Sequence, residues 1–464
     1  MKKLNYLLML TIAMVTLFSC QESEPCDGSC PTGTECVGNQ CIAIDPCVGV
    51  TCPTGQQCVD GTCKDIVFET VNVTGNITSN TTWTADKIYV LNGKVYVTNG
   101  VTLTIQPGTI IKGGEGANTL ASALVIARGA KILAEGTAEK PIIFTTVVDG
   151  IKPGQINSTL TKTDLGKWGG LIVLGKAPVS AANGDVETQI EGIPGDVVEG
   201  KFGGSDPADN SGIIKYVSVR FGGAVIGDNN EINGITLGGV GSGTVIENIE
   251  IVANKDDGLE IFGGTVNVKN VIVAYQDDDA IDLDMNYSGT IDNFYVIHGG
   301  SGTDEALEID GPEGSTNVNG LFILKNGTCI AADQTVTSGA DLKAKAQGTI
   351  ENVSWAGYKD GKFISVAAGF NADCSEKSDA WTNAKNGKLI VKNCEIISGS
   401  LNNASIANLY TASATANCLT AEMQSALDTA VSTFGNKVSA AATIGANKTV
   451  FNAWTWAALN NEIK

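Results

Sequence analysis

The chain has 464 residues, a formal net charge of -20 and only two arginines, Arg128 and Arg220. That surplus of acid repels nucleic acids and polyanionic glycans alike, which leaves neutral glycans, cations or proteins as the partners to expect. One histidine, His298, is too few for a His-rich metal site or a convincing Ser-His-Asp set, and it is expected at the surface.

In chain order, Lys2 and Lys3 precede an apolar stretch from Leu7 to Phe18, too short to span a bilayer and laid out as a secretory signal over residues 1–19. It ends in Leu17-Phe18-Ser19-Cys20, which resembles the lipobox of bacterial lipoproteins. The resemblance implies cleavage before Cys20 and lipid anchoring through that cysteine. Gln21-Glu22-Ser23-Glu24 is similar to signals that carry some lipoproteins to the outer leaflet of the outer membrane. Nothing after residue 20 supplies the roughly 18 consecutive apolar residues of a spanning helix.

Thirteen cysteines in an exported chain read as one acylated residue plus twelve that can pair. Eight fall in a tandem repeat over residues 20–66: Cys26, Cys30, Cys36 and Cys41 recur as Cys47, Cys52, Cys58 and Cys63, with Cys-Pro-Thr-Gly in both copies. Each unit has almost no apolar core, so two disulfides must hold it, in one of three connectivities. The pattern resembles small EGF-like or follistatin-type knots and is expected to act as a stiff stalk.

From Val67 to about residue 410 short β-branched runs alternate with Gly and Asn, and the spacing is that of a solenoid. Asn248-Ile249-Glu250-Ile251-Val252-Ala253 precedes Asp256-Asp257-Gly258-Leu259-Glu260-Ile261. The order returns 22 residues later as Asn270 to Ala274 and Asp278-Asp279-Ala280-Ile281-Asp282-Leu283. A third copy runs from Asn293 to Ile297, then Asp304-Glu305-Ala306-Leu307-Glu308-Ile309; Asn233 to Gly239 is an earlier relative. A chain that repeats strand and turn in this way without hairpin signals must coil, so the expected fold is an all-β, right-handed parallel β-helix. Leu259, Ile261 and their equivalents point inward, while Glu260, Asp282 and Glu308 point out.

Equivalent positions on successive coils lie only about 4.8 Å apart. Three ladders follow: Asp256, Asp278 and Asp304; Asp257, Asp279 and Glu305; Glu260, Asp282 and Glu308, with Asp277, Asp284 and Asp310 nearby. Carboxylates so crowded are either protonated or bridged by a cation, and oxygen-only donors favour calcium. The alternative is acids splayed into solvent or paired with Lys255 and Lys269. The same carboxylates also suit glycoside hydrolysis, and Lys255 or Arg220 would be the base of a polysaccharide lyase. Gly238-Gly239-Val240-Gly241-Ser242-Gly243 lacks the Lys and helix of a phosphate loop and reads as a solenoid turn. Trp168, Trp355 and Trp381 suit either sugar stacking or packing, and Trp454 and Trp456 suit packing.

The tail, residues 411–464, changes period. Leu419, Met423, Leu427, Val431 and Phe434 sit at helical spacing, and Phe451 to Ile463 forms a second short helix; both are expected to cap the solenoid. Cys329, Cys374, Cys394 and Cys418 are expected to make two bridges near this end.

Thr82-Trp83-Thr84-Ala85-Asp86-Lys87, Thr102 to Gly113, Lys167-Trp168-Gly169-Gly170-Leu171 and Asp256 to Val266 together resemble a family of bacterial β-helix surface lipoproteins with pectate-lyase-like architecture. The resemblance implies a right-handed β-helix and cell-surface display, and no settled activity. The expectation is a non-catalytic, outer-membrane-anchored protein presenting an acidic, calcium-loaded face to a glycan or an outer-membrane protein. A glycan-cleaving enzyme and an accessory subunit of an uptake complex are the alternatives.

Overall fold

The computed structural model describes residues 30–37, 40–53, 56–116, 120–226, 232–299, 302–332, 338–358, 363–397, 410–414, 418–425 and 434–464. The signal segment, Cys20, Cys26, Leu427 and Val431 lie outside the described residues. The chain divides into two compact units, Met1–Ile66 and Val67–Lys464.

In the small unit, Thr34–Val37 pairs antiparallel with Gln40–Ala43, and Gln56–Val59 with Thr62–Asp65. Its side chains are mostly exposed, so disulfides stand in for a core. Cys47–Cys58 and Cys52–Cys63 interlace, Cys30–Cys41 repeats the second of these in the first copy, and Cys36 is disulfide-bonded as well. Of the three connectivities open from the sequence, first-to-third and second-to-fourth is the one formed in the second copy, and the described bridge of the first copy agrees with it.

The large unit is a parallel β-helix. Each coil gives one strand to sheet II, an 11-stranded sheet, and two legs to sheet I, a 16-stranded sheet. In the early coils the two legs of sheet I are separate strands, such as Thr102–Ile105 and Ile110–Gly113. From Gly212–Arg220 onward they fuse into one long strand bent at a left-handed residue, Tyr216 first, then Asn248, Asn270, Asn293, Asn326 and Asn352. Asparagine tolerates that conformation because its short amide finds local partners. Here the partners are the neighbouring asparagines: Asn270 Nδ2 donates to Asn248 Oδ1 at 2.9 Å, Asn293 Nδ2 to Asn270 Oδ1 at 2.7 Å, and Asn352 Nδ2 to Asn326 Oδ1 at 3.2 Å.

The core runs through the helix as stacked columns. Ile235, Leu259, Ile281 and Leu307 form one and Leu237, Ile261, Leu283 and Ile309 the next, all buried and in register. Trp168, Trp355, Trp381, Trp454 and Trp456 are all buried, which makes them packing residues rather than sugar platforms. His298, expected at the surface, is instead fully buried, with Nδ1 3.1 Å from the Tyr358 hydroxyl. Gly239, at φ +56°, lies in the turn between strands Ile235–Gly238 and Val245–Val252, as a solenoid corner requires.

At the C-terminal end, Leu419 and, within a helix at 421–425, Met423 pack against the main core as a cap does. The last segment does something else. It is a 3-10 turn, Lys448–Phe451, and a single helical turn, Trp456–Leu459, lying along the outer face of sheet I rather than over its end. Thr443 N donates to Glu395 Oε2 at 2.7 Å, Ala446 N to Thr328 Oγ1 at 3.0 Å, Asn447 N to Asn293 Oδ1 at 2.6 Å, and Trp456 N and Ala457 N to the Glu250 carboxylate at 2.9 Å each. Phe451, Trp454 and Trp456 thereby cover Val252, Ile272, Tyr295 and Ile297.

Two bridges expected from four cysteines reduce to one. Cys374 and Cys418 are joined, while Cys329 and Cys394 are buried free thiols. Cys329 is in register with Trp355, and Trp355 with Ile396, so Cys394 belongs to a winding two steps away. Two steps are about 9.6 Å, beyond disulfide reach. Among the described residues no helix is long and apolar enough to cross a membrane.

Candidate functional site

One column on the outer face of sheet II changes character along the solenoid. In register it reads Tyr96, Val125, Ile172, Thr236, Glu260, Asp282, Glu308, Asp341 and Ser365. The apolar end is covered by the chain between strands Leu171–Leu174 and Gly212–Arg220, whose Val179, Ala181, Ile190, Ile193 and Phe202 join Val125, Ile172, Leu174 and Phe262 in one cluster. The acidic end floors a cleft of about 490 Å³.

The turn before each strand of sheet II lines up a second set of acids. Asp257 Oδ1 accepts from Asp279 N at 2.9 Å, and Asp279 Oδ1 from Glu305 N at 2.6 Å, so each side chain ties its winding to the next. Gly258 follows because a Cβ there would lie 2.3 Å from Val273 Cγ1. Asp256, Asp257, Glu260, Asp277, Asp278, Asp279, Asp282 and Glu308 thus meet in the cleft, as the repeat requires, together with Asn233 and Lys255. Asp304 and Glu305 continue the turn ladders outside its lining, where Ser338 Oγ donates to Glu305 Oε1 at 2.9 Å. Lys269 is absent from the cleft; it lies on sheet I, in register with Glu247 and Asp292.

Sequence reasoning missed three members. Asp341 sits in Ala340-Asp341-Leu342, the same apolar–acid–apolar triplet as Leu259-Glu260-Ile261, and that triplet was the available signal. Asn233 donates through Nδ2 to Glu260 Oε2. Glu191 lines the cleft from the covering segment, where no repeat exists to reveal it.

Electrostatics make the cleft unusual. One oxygen each of Asp257, Glu260 and Asp282 lies within 4.8 Å of the others, and the same holds for Asp256, Asp257 and Asp278. Burial first, then repulsion from the Asp257 charge, pushes Asp279 up to about 11 and raises Asp282 well above the carboxylate range. Burial and the charges of Asp256 and Asp257 respectively raise Asp257 and Glu260 as well. Asp282 is only 9% exposed, and no hydrogen-bond donor reaches its carboxylate among the described residues. Glu308 does have a cation, an ion pair with Lys343.

Arg220 cannot serve as a base here. Its side chain is fully buried on sheet I, where Nε donates to Ser218 Oγ at 2.7 Å, Nη1 to Ile156 O at 2.7 Å, and Nη2 lies 3.4 Å from Glu250 Oε2.

The donor set fits a hard divalent cation. Calcium takes oxygen ligands at roughly 2.3–2.6 Å, so oxygens up to about 5 Å apart can share one ion. The triad Asp257, Glu260 and Asp282 meets that spacing, and the cleft lining holds neither His nor Cys to favour zinc.

Fold and site together define a parallel β-helix protein with an acidic cleft on its outer face. The chain belongs to the pectate-lyase like beta helix domain family, whose model matches residues 75–458. No curated protein and no solved structure matches it.

Proposed function

We propose that this protein is a calcium-dependent binding protein displayed at the bacterial outer membrane through lipidated Cys20. In this reading Asp257, Glu260 and Asp282 hold the ion, and its open positions take hydroxyls of a neutral glycan or carbonyls of a partner protein. The observation that carries it is Asp282, buried beside two further carboxylates and reached by no donor among the described residues. Calcium needs six to eight oxygens, so three carboxylates leave coordination sites for a ligand. The charge of -20 disfavours polyanionic partners even with one ion bound.

Calorimetric titration of the chelator-stripped protein with CaCl2 tests the reading. Binding that Asp282→Asn abolishes is the expected result; absence of heat together with an unchanged melting temperature would overturn it. Display at the outer membrane is tested separately, by loss of membrane association in a Cys20→Ser variant.

A second reading, glycan cleavage, is favoured by one observation. Asp310 is held up to about 7 and Asp284 up to about 6, mainly by burial, so two neighbouring carboxyls are poised near neutrality as an acid–base pair needs. New reducing ends from a panel of neutral polysaccharides, lost in Asp310→Asn, would establish it; no turnover on any member would remove it.

A further inference from the structure

The covering segment carries a carboxylate to the far wall of the cleft, and its construction suggests a purpose for that placement. Thr188–Gln189 pairs antiparallel with Lys201–Phe202, and Gln189 Nε2 donates towards the carbonyls of Ile193 at 3.3 Å, Pro194 at 3.0 Å and Val197 at 3.2 Å. One amide thus closes the loop on itself. Ile190 and Ile193 are buried in the cluster on the outer face of sheet II, while Glu191 between them is exposed and lines the cleft with Asn233 and Glu260. Gly192 turns the chain at φ +78° immediately afterwards. Among the described residues no strand pairing joins the loop to sheet II; apolar packing and the Arg128–Glu187 ion pair hold it there.

Glu191 lies close enough to Glu260 to help raise its pKa, after burial and Asp257, so without an ion any ionisation of Glu260 opposes the contacts holding the loop down. A cation between them reverses the sign. Resting on the calcium reading above, we propose that Glu191 is a cation ligand from the covering wall, and that loading fastens the loop 186–200 onto sheet II. Asp282 lies in the same cleft, nine-tenths buried, and no hydrogen-bond donor reaches its carboxylate among the described residues.

The experiment uses the full chain, stripped by chelator and titrated with CaCl2, read by calorimetry and by hydrogen–deuterium exchange over residues 186–200. The wild type is expected to bind calcium and to slow exchange in that loop. Glu191→Gln, exposed and free to fold, is expected to bind at least about tenfold more weakly and to show no loop protection on loading. Wild-type affinity and wild-type loop protection in Glu191→Gln would overturn the inference while leaving the cation site intact. Loss of binding in Asp282→Asn, with Glu191→Gln reduced, supports both. No binding by the wild type removes the calcium reading and this inference with it.

Discussion

Glu250 on sheet I and Asp282 on sheet II are both acids on the outer face of a parallel sheet, both buried, in adjacent or near-adjacent coils. Glu250 is surrounded by donors: Ser218 Oγ at 2.6 Å, Arg220, Trp456 N and Ala457 N. Glu395, further along the same column, is held down to about 2 by hydrogen bonds from Lys437 and Thr443, which outweigh its burial. Among the described residues Asp282 has no donor, and two more carboxylates lie beside it. A chain that can satisfy one buried acid so fully, and leaves another so bare, sets the two apart: the first fastens the C-terminal segment, and the second is the one the proposed calcium site rests on.

The comparison breaks most visibly at Glu250. Replacing it with Gln leaves Arg220 buried without its counter-charge, which costs about 3–5 kcal/mol in comparable sites. Urea unfolding of Glu250→Gln should show that loss, and protease should reach residues 443–464 sooner than in the wild type. A loss below about 1 kcal/mol would mean that the donors around Glu250 do not matter and would erase the contrast.

Asp282→Asn should do the opposite in the absence of cation, raising stability by about 1 kcal/mol because one member of a mutually repelling set is gone. What it forfeits is the response to calcium. At a free concentration one hundred times Kd the wild type should gain about 2.7 kcal/mol, and the variant nothing. Thermal melts with and without chelator read both effects, and an Asp282→Asn protein that calcium still stabilises would place the ion elsewhere.

The two kinds of acid also predict opposite pH limbs. Glu305 is pushed to about 8, Asp310 to about 7 and Asp284 to about 6, all chiefly by burial. Their pKa values are higher folded than unfolded, so the native state keeps protons that the unfolded chain releases near pH 4, and stability falls as pH rises from there to about 8. Glu395 is shifted the other way, so its contribution is present above about pH 4.5 and lost as pH falls towards 2. The chelated protein should therefore melt highest between roughly pH 4 and 5, with a decline of a few degrees by pH 8. A melting temperature that is flat from about pH 5 to 8 would show that these carboxyls are not held protonated in the fold.

How far the sequence could carry this is visible in the same residues. Glu260, Asp282 and Glu308 repeat at near-constant spacing between apolar neighbours, and a solenoid turns such a recurrence directly into adjacency. The burial of Glu260 and Asp282 was not legible, because one wall of their cleft comes from the covering segment between strands Leu171–Leu174 and Gly212–Arg220, which repeats nothing. Glu191 was hidden for the same reason. The tail illustrates another limit: Trp454 and Trp456 read correctly as packing residues, but only the three-dimensional column from Glu250 to Glu395 shows that they pack on a flank. Cys329 and Cys394 show a third, since an even count of cysteines says nothing about how many windings separate them.

The smallest expected effect lies at the corner that gives both columns their spacing. Asn270 sits at φ +58°, donates to Asn248 and accepts from Asn293, so Asn270→Ala loses two amide contacts and leaves an alanine in a left-handed conformation. Each side-chain hydrogen bond is worth about 1 kcal/mol net, and the backbone penalty is about 1–2 kcal/mol, part of which Asn already bears, so a loss of about 2 kcal/mol is expected. Asn270→Gly removes the backbone penalty and keeps the loss of contacts, so it should be the milder of the two. Equal losses would show that the ladder, and not the corner's conformation, sets the cost. Asn270 lies on sheet I and Asp282 on sheet II beyond the next corner, so neither variant should alter calcium affinity at Asp282, and a calorimetric shift there would show that the corner and the cleft are coupled.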